Sequence, residues 1–387
     1  DAAHGFDNIK SWFNEVVHET VMEINLSRVV YNLKQYERKL NKGVNIMVVI
    51  KAFGYGLGST EMAKLFQDQN IDYFCICYTD EGVKLRKQST RLPIMVLMPE
   101  EYGFERLIEY NLEPCIHNFS ILIAFIRFLH HHEYKERYPV HLAFDTGMHR
   151  LGFEQNDVKR LVSLMKKNEA HLYVKSVWSH LASSEDPEED SFTELQAARF
   201  EKYCSVIEEE IGYDFIKHLA NSAAVLRLPH LQYNMVRLGI VLFGLDNTKV
   251  CQHELQVVAR LRTTISQLRR VAACDTVGYG RKGKVECDSL IGVIRIGYAD
   301  GFARRLSNGV GFVWCKGVSC PVIGDVCMDM AMIDFTHVNN VQEGDEVEVF
   351  GENIKLQEIA QVCRTIPLEI LINFGQRIKR VYTFSDS

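Results

Sequence analysis

Short apolar runs recur along the first two thirds of the chain, at 45–50, 73–78, 93–98, 112–116, 140–144, 174–178, 216–219 and 234–240. Each has the length and β-rich composition of a buried strand. Between most of them the spacing becomes helical. In 27–40, Val29, Val30, Leu33 and Leu40 fall on one face. The 59–67 stretch opens on Ser59 and Thr60, both capping candidates. Strands alternating with helices in this number predict an α/β architecture, an N-terminal (β/α)8 barrel of the TIM type. A doubly wound sheet is the competing reading. After about residue 251 the texture changes to closely spaced strand candidates at 261–271, 290–296, 311–318, 321–326, 330–335 and 346–350, then helical patterns at 356–363 and 367–374. The expected organisation is a lead-in segment over 1–18, the barrel over 19–255, and a mostly β C-terminal domain over 256–387. The lead-in reads as a short amphipathic helix.

Composition narrows the function classes. With 44 basic against 50 acidic residues the net charge is −6, which argues against a nucleic-acid footprint. A hydrophobic fraction of 47% with 24% charged residues fits a folded globular chain and excludes disorder. The longest apolar runs, such as 121–126, fall far short of the ~20 residues of a membrane span, and the start carries no secretory signal pattern. Eleven cysteines without a CxxC pair predict reduced thiols and a cytoplasmic location; Cys75 and Cys77 read as packing. His130, His131 and His132 read as a helix end rather than a metal patch, and the acidic run 185–190 as a solvated loop, since it lacks calcium-loop spacing.

In such barrels chemistry gathers at the carboxyl ends of the strands. The first strand runs into Lys51, for which two readings stand: a lysine reaching solvent, or an amine held for a Schiff base. Gly54, Gly56 and Gly58 follow, without the spacing of a dinucleotide loop. Asn221, Ser222 and the amides around Gly239 lie after the last two strands, where barrels bind phosphate. Arg150 and His180 follow strands five and six, and Arg237 sits within the last strand. A lysine, a phosphate cradle and two arginines suggest pyridoxal phosphate acting on an amino acid.

The chain resembles the alanine racemases, the fold-type III pyridoxal-phosphate enzymes, over roughly 20–385. The markers are VIKAFGYGLG around Lys51, DTGMHRLGF from Asp145, SH at 179–180, ANSAA from Ala220, NMVRLGI from Asn234, VGYG from Val277, GYADGF from Gly297 and CMDM from Cys327. The resemblance implies that Lys51 carries the cofactor and serves as one acid/base, with Tyr279 of the partner subunit as the other. It implies Tyr55, Ser222, Gly239 and Ile240 on the phosphate with Asn221 beside them, Arg237 facing the pyridine nitrogen, and His180 in its network. Arg150 matches the group holding cofactor phenolate and substrate carboxylate. Met328 matches a position whose backbone meets the substrate from the other subunit, and Tyr298 with Arg304 the lining of the entry. The chain departs from the family at Phe53 and Gly54, at Ala143, where many members carry a carbamylated lysine, and at 374–377, where some place a tyrosine on the phosphate.

The resemblance further implies a homodimer with shared sites, alanine as the small-molecule substrate, and D-alanine supply for peptidoglycan. Inverting a carbon needs a base on one face and an acid on the other, which a lysine and a tyrosine provide. Tyr279 is expected to be activated by a positive network of His180 and Arg237, and Arg237, which can only donate, to keep the pyridine nitrogen unprotonated. The alternatives are a broader-specificity racemase or a decarboxylase of the same fold, and a non-catalytic pyridoxal-phosphate carrier. An NAD oxidoreductase fails for want of a dinucleotide fingerprint. Racemase domains also occur behind Mur-ligase domains, so the chain is readable as part of such a fusion.

Overall fold

A computed structural model describes residues 17–246, 248 and 254–384. The lead-in helix expected over 1–18 lies almost wholly outside them. The described chain enters on β1 (Val21–Asn25) and then builds β2 (Asn45–Val49), β3 (Tyr73–Ile76), β4 (Ile94–Val96), β5 (Glu113–Ile116), β6 (Tyr138–Ala143), β7 (Leu172–Trp178), β8 (Ile216–His218) and β9 (Met235–Leu238). From β2 to β9 these are the eight runs read from the sequence. They form one parallel sheet in the order β8-β7-β6-β5-β4-β3-β2-β9. Two backbone bonds bridge the remaining seam, Asn234 N to Lys217 O at 3.1 Å and Arg237 N to Ala220 O at 3.0 Å, so the barrel is nearly closed.

Alternating residues point inward and stack in layers. Met47, Tyr73, Cys75, Met95, Cys115, Ala143, Trp178 and Met235 form the interior cluster. Helices on the outside complete the α/β repeat. Leu26–Glu37 covers the stretch read as 27–40, and Ser59–Phe66 the one read as 59–67. This unit spans 29–256.

The other unit joins the chain before residue 29 to everything after 256. Its strands are β10 (Ala259–Val271), β11 (Thr276–Val277), β12 (Gly283–Lys284), β13 (Ser289–Ile294), β14 (Phe312–Cys315), β15 (Val318–Pro321), β16 (Ala331–Asp334), β17 (Glu346–Phe350) and β18 (Lys379–Thr383). The main sheet runs β15-β14-β17-β10-β1-β18, with β13 pairing β10 and β16. Three expectations change here. Residues 21–28, read as barrel, belong to this unit because β1 pairs antiparallel with β10 and parallel with β18. The single strand read at 311–318 is a hairpin, turned at Lys316 and Gly317 with φ of 46° and 87°, the geometry that matches strand twist. The strand read at 321–326 is only its end plus an isolated bridge from Val322 to Ile333.

Candidate active site

The loop after β2 carries Lys51 into a left-handed turn. Ala52, Phe53, Gly54 and Tyr55 have φ of 52°, 57°, 61° and 55°, a conformation that costs a non-glycine residue roughly 1–2 kcal/mol. Hydrogen bonds hold it: Gly54 N to Ile50 O at 3.1 Å and Gly58 N to Phe53 O at 2.8 Å. Glu81 adds the decisive tie. One carboxylate oxygen accepts Ala52 N at 2.7 Å, and the other accepts Cys77 N at 2.8 Å and Tyr78 N at 3.0 Å. The turn thus fixes the backbone on which Lys51 is mounted to the loop after β3.

The same turn drives Tyr55 inward. Its ring lies 5.3 Å from that of Phe243, and its hydroxyl sits where a side chain on Gly239 would begin: a Cβ there would meet Tyr55 Oη at 2.6 Å. Burial pushes the phenol up, so it stays a neutral donor. Gly239 N donates to Ser222 Oγ at 3.2 Å, which leaves the serine hydrogen to donate elsewhere. Ile240 opens the following turn. Hydroxyls of Tyr55 and Ser222 with the amide of Ile240 make a donor set suited to a phosphate, and the Gly239 amide orients the serine within it. Asn221 braces the turn from within, since its carboxamide oxygen caps Ala224 N at 3.0 Å and accepts Ser184 Oγ at 2.8 Å.

Arg237 is 5% exposed on β9. One terminal nitrogen donates to His218 Nδ1 and His218 O, both at 3.0 Å; the other donates to Ser179 O at 2.7 Å and Leu219 O at 2.9 Å. The guanidinium lies 5.1 Å over the Trp178 ring. Burial lowers its pKa to about 10, so it remains a cation at neutral pH. His180 lies beside it, with Nδ1 at 3.4 Å. Burial first, then Arg237, Arg150 and Lys51, bring the imidazole down to about 3. This corrects the expected positive network: the charge belongs to Arg237, and His180 is neutral.

Arg150 rides the loop after β6. Asp145 Oδ1 accepts Gly147 N at 2.8 Å and His149 N at 3.0 Å, and the loop closes through Asp145 N to Phe153 O at 2.9 Å. Gly152, at φ 126°, permits that closure, because a Cβ would stand 2.5 Å from Asp145 N. Buried Gln196 supports the neighbouring turn through Thr146 Oγ1 and His180 O, both at 3.1 Å.

The remaining candidates lie in the β unit. Tyr279 follows Gly278 at φ 79° and is 71% exposed. Met328 is 55% exposed, and its carbonyl accepts Ala299 N at 2.9 Å. Asp325 ties this region together, accepting Lys282 Nζ and Arg304 at 2.8 Å each and Asn308 at 2.8 Å. Tyr298 opens a short helical turn and is 43% exposed.

Comparison with known proteins decides the family. The alanine racemase N-terminal domain model matches residues 24–247 and the C-terminal domain model 258–382. The chain belongs to the alanine racemase family. It is an isomerase that interconverts L- and D-alanine with pyridoxal phosphate. It is 32% identical to alanine racemase 1 of Caldanaerobacter subterraneus subsp. tengcongensis, over 95% of this chain and 96% of that one. Among solved structures, the alanine racemase of Clostridium difficile superposes with a TM-score of 0.88 at 30% identity, covering 96% of this chain and 97% of that one. The alanine racemase of Bartonella henselae, solved with covalently bound pyridoxal phosphate, gives 0.84 at 26% identity over 94% and 99%. No helix among the described residues is long and apolar enough to cross a membrane.

Within an alanine racemase, the place of the carbamylated lysine is notable. Ala143 is 2% exposed in the cluster that holds Trp178, and it helps line a cavity of about 20 Å³ together with Met148, Arg150, Trp178 and His180. Sequence reasoning missed Glu81, Gln196 and His218. Glu81 does accept from the amide of the N-cap residue three positions before it, but that residue is Tyr78 rather than serine or threonine, so the sequence carries no capping-box pattern there.

Proposed function

We propose that Lys51 and Tyr279 of the partner subunit are the two acid/base groups of this alanine racemase, working on opposite faces of the substrate Cα in a homodimer that shares its sites. One observation carries the reading: the barrel unit gathers lysine, cradle and buried arginine, while Tyr279 stands 71% exposed on a different unit.

The residues fit pyridoxal phosphate. The space beside Gly239 that a Cβ would fill holds the Tyr55 hydroxyl, so Gly239 lets that phenol stand beside the Ser222 hydroxyl and the Ile240 amide as donors for the phosphate, while its own amide holds Ser222 Oγ. Arg237 has only donors, and with both terminal nitrogens engaged by His218, Ser179 and Leu219 it is the Nε–H that would face a ring nitrogen, which must therefore accept. Asn221 stiffens the cradle as a cap. When bound, the cofactor supplies a conjugated system that takes up the electron pair left on Cα. Lys51 moves the proton on one face and the Tyr279 phenol of the partner subunit on the other. Arg150 holds the substrate carboxylate, with neutral His180 accepting or donating beside Arg237. The Met328 backbone, Tyr298 and Arg304 border the access route and limit substrate size. The enzyme acts in the cytoplasm, and its product feeds peptidoglycan.

Incubation with D-alanine in D2O tests this. The expected result is deuterium at Cα with both enantiomers formed; formation of the second enantiomer is lost in Lys51→Ala and in Tyr279→Phe. Carbon dioxide release in place of inversion would favour a decarboxylase, and a wild-type activity for Tyr279→Phe would overturn the two-base assignment.

A further inference from the structure

Arg237 is one end of a buried chain of hydrogen bonds that crosses the barrel. His218 Nδ1 accepts from it at 3.0 Å. His218 Nε2 lies 2.9 Å from Ser176 Oγ, Ser176 Oγ lies 2.6 Å from His141 Nδ1, and His141 Nε2 lies 2.7 Å from Glu113 Oε2. The five residues come one each from β9, β8, β7, β6 and β5. His141, Ser176 and His218 are fully buried, and His141 and Ser176 are register partners.

The two ends set the direction. Arginine can only donate and an ionised carboxylate can only accept. His218 Nδ1 must therefore be an acceptor, so its proton sits on Nε2 and points at Ser176. A neutral His141 that donates from Nε2 to Glu113 must accept at Nδ1, so the serine hydroxyl, having accepted from His218, donates to it. Burial and the facing charge of Arg237 keep His218 neutral, as this arrangement requires. Burial alone would raise the Glu113 carboxyl, but hydrogen bonds from His141 and Tyr73 outweigh it and hold the group below the usual carboxylate range; Tyr73 Oη donates at 3.0 Å.

We propose that Glu113 is a positioning residue for racemisation: through His141, Ser176 and His218 it locks both imidazoles in one tautomer and so fixes the guanidinium fork of Arg237. This rests on the reading that Arg237 faces the cofactor nitrogen. Were the chain to reverse, His218 would present Nδ1–H to an arginine N–H, two donors face to face, and the fork would have to move.

Glu113→Gln removes the directionality, since an amide can donate or accept. Histidine-selective 15N NMR of the protein without cofactor should show His141 and His218 as single Nε2–H tautomers, becoming mixtures in Glu113→Gln. In the loaded enzyme kcat should fall roughly tenfold with KM within about twofold, and the fraction of turnovers ending in transamination should rise. Ser176→Ala cuts the chain at its middle and carries the test if Glu113→Gln does not fold. It should give the same loss, and the double variant should be no worse than either single. Unchanged tautomers, or losses that multiply in the double variant, would overturn the relay. Tautomers that mix while kcat and product ratio hold steady would overturn instead the placement of Arg237 on the ring nitrogen.

Discussion

Gly239 lacks a side chain because the Tyr55 hydroxyl stands 2.6 Å from where one would begin. Gly239→Ala forces either the phenol or the backbone to shift, an overpacking that costs roughly 1–3 kcal/mol. Pyridoxal phosphate should then bind about tenfold more weakly, one lost donor's worth, as measured by absorbance titration. His180 supports a second prediction, on pH. Its folded-state pKa of about 3 lies below an unfolded value near 6.5, so the unfolded chain binds the extra proton between these limits. Stability contributed by the neutral imidazole is intact above pH ~6.5 and drains away as pH falls toward 3, at up to about 1.4 kcal/mol per pH unit. His218 acts in the same direction. Urea unfolding at pH 7.5 and 5 should show His180→Asn with a shallower pH dependence than the parent, and equal slopes would refute the neutral assignment. Lys51 and Arg237 were legible in the sequence because a charged residue at the end of an apolar strand or inside one demands an explanation, and Arg150 because its loop follows such a strand. Glu81 and His218 were not: a glutamate in a first helical turn is ordinary on electrostatic grounds, and a histidine in a strand declares no partner.

At the scale of elements, the left-handed turn at 52–55 is the costliest local structure near the site, and it persists because Glu81 accepts three backbone amides from two loops. Glu81→Ala leaves those amides without their charged acceptor and should lower stability by roughly 2–3 kcal/mol. Because Lys51 is mounted on the same backbone, kcat should drop at least tenfold. Denaturant midpoints and initial racemisation rates measure the two losses, and a stability loss with unchanged kcat would show that the turn does not place the lysine. The barrel strands were readable because a strand buried on both faces shows as an unbroken apolar run. The hairpin around Lys316 and Gly317 was not, since its two strands are short and the turn reads as a brief polar interruption. Helix ends fell within a few residues of their expected places, where fraying and capping blur any boundary.

At the scale of the molecule, the β unit is assembled from both ends of the described chain. β1 supplies β18 with its pairing partner and lies antiparallel to β10 on its other side. No local pattern announces pairing across more than 200 residues, so residues 21–28 could be placed in the wrong domain while every barrel strand was found. Removing residues before Leu26 should expose the strands after 258 to protease while 29–256 stays protected, and equal cleavage of both would contradict the two-unit division. The same division makes the shared site testable by mixing. If Lys51 works with Tyr279 of the partner subunit, Lys51→Ala and Tyr279→Phe homodimers are each inactive. Unfolding and refolding them together at equal amounts makes about half of the dimers hybrids, by random pairing of equivalent protomers. In each hybrid one site lacks both groups and the other has both intact, so activity should return to about a quarter of the parent value per protomer. If Tyr279 served its own chain, every site in the mixture would lack one base and no activity would return. The recovered fraction, read from D-alanine formation after gel filtration of the dimer, separates the two arrangements without reference to how either variant folds.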